Sequence, residues 1–372
     1  MTALPPFVAW TLLILLCFLT PPALAAKKIL IYTYTQGFRH YSIPTAVSVI
    51  EHLSSTAIPP IETVHSEDPS DFESPDFLTQ FDALLFISVS GKALSPTGAN
   101  ALREYIEAGG GFLGVHEACD ALYHYSWYGR LVGAFFNYHP QITHATLNVN
   151  TSHPATAHLN ATWRVYDEMY NFNSNPSLLG KQYVITADEG SYKDPVETVE
   201  QRARVQGEIH PIAWWKEGNQ LDYNRHVKVG GGTDPTKKEI REGTAGTGGE
   251  GRSFYTALGH TNAMWKDEAF QQHIMGAVGW LLESPTLRSS SANASEGAVG
   301  SAFDPTAASR TMRKGATGAI SGPGVSSVTV KGSPLPWSKS QISTSGTRRA
   351  RGTRRSNVAA ALAVSMLLAI CV

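Results

Sequence analysis

Residues 109–119 read Gly-Gly-Gly-Phe-Leu-Gly-Val-His-Glu-Ala-Cys and carry the strongest structural signal in the chain. A short apolar strand runs directly into a Gly-x-His-x-Ala turn, the form of the strand-turn-helix elbow that lifts one side chain above a parallel sheet. Gly114 and Ala118 flank the turn, where a crowded backbone leaves little room for larger side chains. Hydrolases place Ser or Cys at the tip of this elbow, whereas this chain places His116. The pattern therefore predicts acid–base or metal-assisted chemistry rather than formation of an acyl-enzyme.

Strand-like and helix-like segments alternate on both sides of this elbow. Apolar runs predict strands at residues 28–34, 61–65, 81–89, 111–115, 145–149, 183–187, 209–215 and 254–258. Amphipathic or capped segments predict helices at residues 44–53, 95–108 and 267–282. This alternation predicts an α/β fold with a mostly parallel sheet and helices on both faces. Functional side chains in such sheets lie beyond the carboxyl ends of the strands.

Composition divides the chain into regions. Residues 27–285 have mixed apolar periodicity and are long enough for one domain with a full core. Within them, residues 216–251 are polar and glycine-rich without a clear period, which favours a surface insertion over a functional lid. Residues 286–345 are rich in Ser, Ala, Gly and Thr. Such a segment buries too little apolar surface to offset its ordering entropy, so it is predicted to be a disordered stalk.

Both ends of the chain carry targeting patterns. Residues 1–25 contain an apolar run too short to span a bilayer comfortably, followed by a small-x-small pattern, and are predicted to be a secretory signal peptide. Residues 346–372 join a basic polar spacer to an apolar tail, which fits a removed glycosylphosphatidylinositol (GPI) attachment signal with Ser345 as the attachment residue. An uncleaved N-terminal anchor and a C-terminal membrane helix are the alternatives. The patterns predict a lipid-anchored protein of the secretory pathway, on the outer face of the plasma membrane or in the cell wall.

The predicted processing changes the charge and the thiol content. The whole chain has a formal net charge of −1, and removal of the arginine-rich tail makes it more acidic. An acidic domain lacks the basic footprint that nucleic-acid binding requires. Cys119 would be the only remaining thiol, so no internal disulfide is expected. Sequons at Asn150, Asn160 and Asn293 offer sites for N-linked glycans.

Several polar segments follow predicted strands in a distinctive order. They are Gly37-Phe38-Arg39-His40, Gly114-Val115-His116-Glu117-Ala118, His153-Pro154, Asp167-Glu168-Met169-Tyr170 and Gly251-Arg252-Ser253-Phe254-Tyr255-Thr256-Ala257-Leu258-Gly259-His260. Together they resemble the trehalose-utilisation (ThuA-like) family, whose fold is related to class I glutamine amidotransferases. The resemblance covers residues 28–282 apart from most of the insertion, and it implies a flavodoxin-like α/β fold and a role in carbohydrate metabolism. Amidotransferases hold Cys at the elbow, where this chain has His116, so glutamine hydrolysis is not expected.

Three residues are the candidate catalytic groups. His116 on the elbow and His260 after the last core strand are expected to open into one pocket with Glu168, their nitrogens within roughly 8 Å. The same three residues are candidate ligands for a divalent metal such as zinc, which would polarise a sugar oxygen or activate water. In the alternative, metal-free mechanism, one histidine takes a proton from a keto-sugar while another donates one.

Further residues are assigned around this pocket. The candidate substrate-binding residues are Arg39, His40, Glu117 and Tyr170. The spacing of His139 and His144 matches no recognised metal motif, and His210 and His273 are interpreted as surface or packing residues.

The alternative function is a non-catalytic sugar-binding domain. It rests on aromatic side chains that could stack on sugar rings: Trp127, Tyr128, Phe135, Phe136, Tyr138, Trp214 and Trp215. A lectin would tolerate the loss of His116 and His260, whereas an enzyme would not.

Overall fold

The computed structural model describes residues 26–74, 76–221 and 251–283. The predicted signal peptide, most of the insertion, the stalk and the GPI signal lie outside the described residues, as do Asn293 and Ser345. Within the described ranges, no helix combines the length and apolar character needed to cross a bilayer.

Strands and helices alternate through most of the described chain. The strands are β1 (Lys28–Tyr32), β2 (Glu62–Ser66), β3 (Ala83–Ile87), β4 (Gly111–Val115), β5 (Phe136–Tyr138), β6 (Thr143–Val149), β7 (Thr162–Asp167), β8 (Asn171–Phe172), β9 (Gln182–Ala187), β10 (Pro211–Glu217) and β11 (Arg252–Thr256). The α-helices are α1 (Ile43–Thr56), α2 (Pro96–Glu107), α3 (Ser126–Val132), α4 (Val199–Gln206), α5 (Asn262–Lys266) and α6 (Glu268–Leu282).

One large mixed sheet organises the fold. Its strand order is β2-β1-β3-β4-β11-β10-β9-β6-β7, and β5 and β8 form a separate pair. The first five strands pair in parallel and follow the flavodoxin-like order, with β11 as the fifth strand. The predicted flavodoxin-like α/β fold is therefore confirmed. β3 and β4 are buried along their whole length, which explains their continuous apolar sequences.

The second half of the sheet is antiparallel, which the sequence alone did not indicate. β10 pairs with β11 and β9, and β6 pairs with β9 and β7, all in antiparallel register. β7 was not predicted as a strand. It lies at the edge of the sheet, and its polar residues, among them Arg164, alternate with less exposed ones. Solvent on one side of an edge strand removes the continuous apolar run that marks the central strands.

The helices are positioned by local sequence signals. The Ser95 side chain accepts a hydrogen bond from Gly98 N, so α2 starts where its cap predicts. α1 packs against α5 and α6, whereas α2 packs on the short helix Pro69–Glu73. α6 approaches the loop after β6 so closely that a Cβ at Gly276 would lie 2.5 Å from Pro154 O. That contact explains a glycine inside a helix, where it is otherwise unfavourable.

Candidate active site

His116 lies on a strained elbow at the end of β4. Its φ is +56°, in the left-handed region that non-glycine residues rarely adopt. The short helix His116–Asp120 follows at once, and the Tyr255 hydroxyl donates a hydrogen bond to His116 O at 2.8 Å. The elbow expected from the Gly-x-His-x-Ala turn is present, and its strain is typical of functional positions.

Four side chains from four separate segments converge beside this elbow. They are His40 after β1, His116 after β4, Glu168 after β7 and His260 after β11. One nitrogen or oxygen atom of each lies within 4.8 Å of the others. Glu168 Oε2 is 3.2 Å from His260 Nδ1 and 3.5 Å from His116 Nε2. The structure thus brings together the three candidate catalytic residues and adds His40, which the sequence had suggested only for substrate binding.

The outer nitrogens of two histidines are already engaged. His116 Nδ1 donates to the Ala257 carbonyl oxygen at 2.6 Å, so its Nε2 directs a lone pair into the centre. His40 Nδ1 lies 2.9 Å from Glu117 Oε2, and His40 Nε2 lies 3.0 Å from His116 Nε2. An ionised Glu117 would accept the Nδ1 proton of His40 and leave two lone pairs face to face. A proton or a cation between the two Nε2 atoms then becomes necessary.

Burial controls the charge of these groups. Desolvation, with a smaller contribution from His260, lowers the pKa of His40 to about 4. Desolvation and the neighbouring His40 also lower the pKa of His116 well below its usual value. Both imidazoles are therefore neutral near pH 7, the form that binds metals. Burial, with help from Asp120, raises the pKa of Glu117 to about 9. Without a cation Glu117 is therefore protonated, and it donates to His40 Nδ1 while His40 Nε2 donates to His116.

His260 differs from the other two histidines. Burial lowers its pKa, but the carboxylates of Glu168 and Asp167 outweigh burial and raise it. Its Nδ1 atom has no hydrogen-bond partner among the described residues, although it is buried. Glu168 Oε2 lies 3.2 Å from this nitrogen, close enough for an ion pair with a protonated His260.

Asp167 fixes the position of two of the four groups, a role that sequence reasoning missed. Its carboxylate is fully buried and accepts hydrogen bonds from Gly259 N at 2.9 Å and Glu168 N at 2.8 Å. It also accepts from His260 N at 3.3 Å. One carboxylate therefore holds the segment after β7 against the segment after β11. The adjacent Asp-Glu pair was the only sequence signal for this role.

Tyr170 completes the floor of the centre. Its hydroxyl lies 3.0 Å from His116 Nε2, and the two rings stack with centroids 4.6 Å apart. His210 Nε2 donates to Tyr170 O at 2.8 Å, while His210 Nδ1 lies 2.8 Å from Glu189 Oε1. Arg202 forms a partly buried ion pair with the same Glu189. His210 is therefore a packing residue, as interpreted, and it also anchors the backbone of Tyr170.

Arg39, a predicted substrate-binding residue, lies away from the centre, whereas His139, whose spacing matched no motif, lies at its rim. Arg39 does not border the centre: its guanidinium is about half exposed, and its hydrogen bond and ion pair go to Glu67 Oε1 at 2.8 Å. The carboxylate of Glu67 attracts the Arg39 guanidinium away from the histidines. His139 instead reaches the rim of the centre, where its Nε2 lies 3.4 Å from Glu168 Oε1. The side chain of His139 is 34% exposed, so it is open to solvent.

Most of the aromatic residues considered for sugar stacking belong to the core. Trp127, Tyr128, Phe135 and Trp214 are buried, and the Trp214 indole donates to Val132 O at 2.8 Å. A buried ring cannot stack on a ligand, so these four assignments are wrong. The apolar sequence around them fits a core equally well, which is why the sequence could not separate the two roles.

Comparisons with known proteins place this chain in a family. The family model ThuA, described as "Trehalose utilisation", matches residues 28–281. A ThuA-like protein from Bacteroides uniformis is structurally similar over 70% of this chain and 94% of its own, with 18% identity and a TM-score of 0.50. One from Parabacteroides merdae aligns over 69% and 90%, with 16% identity and a TM-score of 0.46. No curated protein matches. Because the family model spans well over half of the chain, this protein belongs to the ThuA family.

Proposed function

We propose that this protein acts on a carbohydrate with the help of a divalent cation such as zinc. His40, His116, Glu168 and His260 would bind the cation. The observation that carries the proposal is the convergence of four potential ligand atoms, one from each of these residues, within 4.8 Å of one another. The buried His260 Nδ1, which has no hydrogen-bond partner in the described part of the chain, faces the same centre.

The donor set fits zinc. Histidine nitrogens and carboxylate oxygens bind zinc at roughly 2.0–2.2 Å, which sets neighbouring ligands of a tetrahedral site roughly 3.3 Å apart. Three of the six separations between the ligand atoms, 3.0, 3.2 and 3.5 Å, bracket that value, and none exceeds 4.8 Å. Zinc-binding histidines commonly donate their second nitrogen to a carbonyl or a carboxylate. In this site the Ala257 carbonyl would accept from His116, and the carboxylate of an ionised Glu117 would accept from His40.

The chain's own groups suggest how the centre would work. A bound cation supplies Lewis acidity, which polarises a sugar oxygen or lowers the pKa of water. Burial raises the pKa of Tyr170 well above its usual value, so its hydroxyl stays protonated and can donate to an oxygen at the centre. His139, beside Glu168 and open to solvent, is placed to carry a proton between the centre and water.

The family description supports a carbohydrate ligand. The thiol chemistry of glutamine amidotransferases has no support, because the elbow carries His116. Cys119 is fully buried, burial raises its pKa well above the usual value, and its sulfur contacts the Tyr255 hydroxyl. A reactive thiolate requires the opposite environment.

We also propose that the protein is exported and held on the outer membrane face by a lipid. The support is the pair of terminal targeting patterns, together with the exposure of Asn150 and Asn160, where glycans would not disturb the core.

Zinc binding and turnover test the proposal separately. We expect the wild type to bind one zinc ion per chain in calorimetry and to convert members of a panel of oxidised and unoxidised disaccharides. His116→Ala and His260→Ala should each abolish tight zinc binding, whereas the matched control His144→Ala, at an exposed histidine, should leave it unchanged. Zinc binding that survives both substitutions contradicts the metal site. Sugar binding without turnover, unaffected by these substitutions, favours the non-catalytic alternative.

A further inference from the structure

We infer that Phe38 and Tyr41, rather than the core aromatics, form the surface on which a sugar ring of the ligand stacks. The inference rests on the proposed function and names the ligand-contacting groups beside the centre. Both residues lie between β1 and α1, on either side of the segment that carries His40.

The two rings are exposed and adjacent to the metal-binding candidates. Phe38 is 62% exposed and Tyr41 is 60% exposed, although both are large aromatic residues. The Phe38 ring lies edge-on to His40, with centroids 4.8 Å apart. The Tyr41 ring lies edge-on to His260, with centroids 6.1 Å apart. Each ring therefore borders a different histidine of the same centre.

The backbone that carries the rings is fixed by contacts on both sides. The Ser90 hydroxyl donates to Phe38 O at 2.7 Å, and Gln36 N donates to Ser90 O at 3.0 Å. The backbones of these two segments also pack closely, because a Cβ added at Gly91 would lie only 2.8 Å from Gly37 N. On the other side, the Ser42 hydroxyl donates to Gly259 O at 3.3 Å. The backbone that carries the exposed rings is thus held in place before a ligand arrives, which reduces the entropy lost on binding.

A sugar ring fits these surroundings better than a protein partner does. A pyranose has an apolar face of C–H groups and a polar rim of hydroxyls, so it can cover an aromatic ring while its hydroxyls reach the buried centre. Protein interfaces need a larger apolar core than two rings. Here the two residues between the rings in sequence are the charged Arg39, which pairs with Glu67, and the buried His40, so no apolar residue joins the rings along the chain.

The experiment measures binding of trehalose and its keto derivative to the zinc-loaded full chain by calorimetry. Phe38→Ala and Tyr41→Ala should each weaken binding about tenfold, because each removes an aromatic surface that the ligand buries. Phe38→Trp should retain binding. Tyr166→Ala is the matched control, since Tyr166 is 46% exposed but packs beside His144, and it should change affinity by less than about twofold.

Zinc affinity is measured on the same variants and should stay unchanged in all of them. Unaltered sugar affinity in Phe38→Ala and Tyr41→Ala overturns the inference, as does a wild type that binds zinc but neither sugar. The inference is also overturned if the control Tyr166→Ala loses as much sugar affinity as Phe38→Ala does. A wild type that binds sugar but not zinc contradicts the proposed metal centre, and weaker sugar binding by Phe38→Ala and Tyr41→Ala in that case still supports the stacking surface.

Discussion

His116 has a left-handed backbone, and both nitrogens of its ring lie within hydrogen-bond distance of neighbouring groups. Its φ of +56° is unfavourable for a side chain with a Cβ, and its imidazole contacts Ala257, His40 and Tyr170. A strained residue that persists in such a network is held there by its surroundings. The strained backbone of His116 therefore lies at the proposed metal centre itself.

The strain at His116 predicts an order of stability among variants. His116→Gly should be more stable than His116→Ala by about 1 kcal/mol in the metal-free protein, because glycine adopts φ +56° without steric cost. Urea unfolding of the two variants measures the difference. Equal free energies of unfolding would show that the elbow is not strained.

Burial of His273, which lies away from the centre, predicts that the stability of the fold falls at low pH. It is fully buried, its Nδ1 donates to Ala155 O at 2.9 Å, and burial lowers its pKa from 6.5 to about 4. Because the folded-state pKa is depressed, the unfolded chain takes up the proton first as the pH falls. This group therefore removes up to about 3 kcal/mol of stability between about pH 6.5 and pH 4.

Comparison with His273→Gln isolates this contribution, since glutamine can still donate to Ala155 O. Between pH 7 and pH 4, the wild type should lose more free energy of unfolding than the variant. Parallel pH profiles for the two proteins would contradict the lowered pKa of His273.

At the scale of elements, the approach of α6 to the loop after β6 gives a paired prediction. Gly276→Ala should destabilise the protein, because the new Cβ would lie 2.5 Å from Pro154 O and 2.8 Å from Ala155 Cα, both backbone atoms. Gly279→Ala, in the same helix with nothing within 4 Å of its Cβ, should stabilise it by up to about 1 kcal/mol. Thermal unfolding of the two variants tests the pair, and a shift of the same sign in both would refute this packing.

The strands differ in how well the sequence predicted them. β4 was predicted with the correct bounds because it is buried throughout and ends at a turn with a local signature. β7 and the short pair β5 and β8 were missed because exposed or very short strands lack an apolar run. The contact between His40 and His116 joins residues 76 positions apart, so no local spacing reveals it. The Asp167 contacts with residues 259 and 260 were hidden for the same reason.

At the scale of the whole molecule, the sheet brings together loops from distant parts of the chain. The carboxyl ends of β1, β4 and β11 lie at the same edge of the parallel half, where β3 separates β1 from β4. The antiparallel half returns the chain so that β7 delivers Glu168 to the same centre. The flavodoxin-like half thus supplies three histidines, and the added antiparallel half supplies the carboxylate.

The proposed lipid anchor gives a prediction for the intact protein. Treatment of cells with a phosphatidylinositol-specific phospholipase should release the protein into the medium, because residues 346–372 fit a GPI signal. Immunoblotting of medium and membrane fractions measures the release. Continued membrane association after treatment would support a C-terminal membrane helix instead.

The central claim is that four converging side chains hold a divalent cation. Anomalous diffraction from zinc-soaked crystals, collected on both sides of the zinc absorption edge, tests it most directly. We predict one strong peak in contact with His40 Nε2, His116 Nε2, His260 Nδ1 and a carboxylate oxygen of Glu168. A zinc-binding protein whose peak lies elsewhere, with these four side chains unligated, would contradict it.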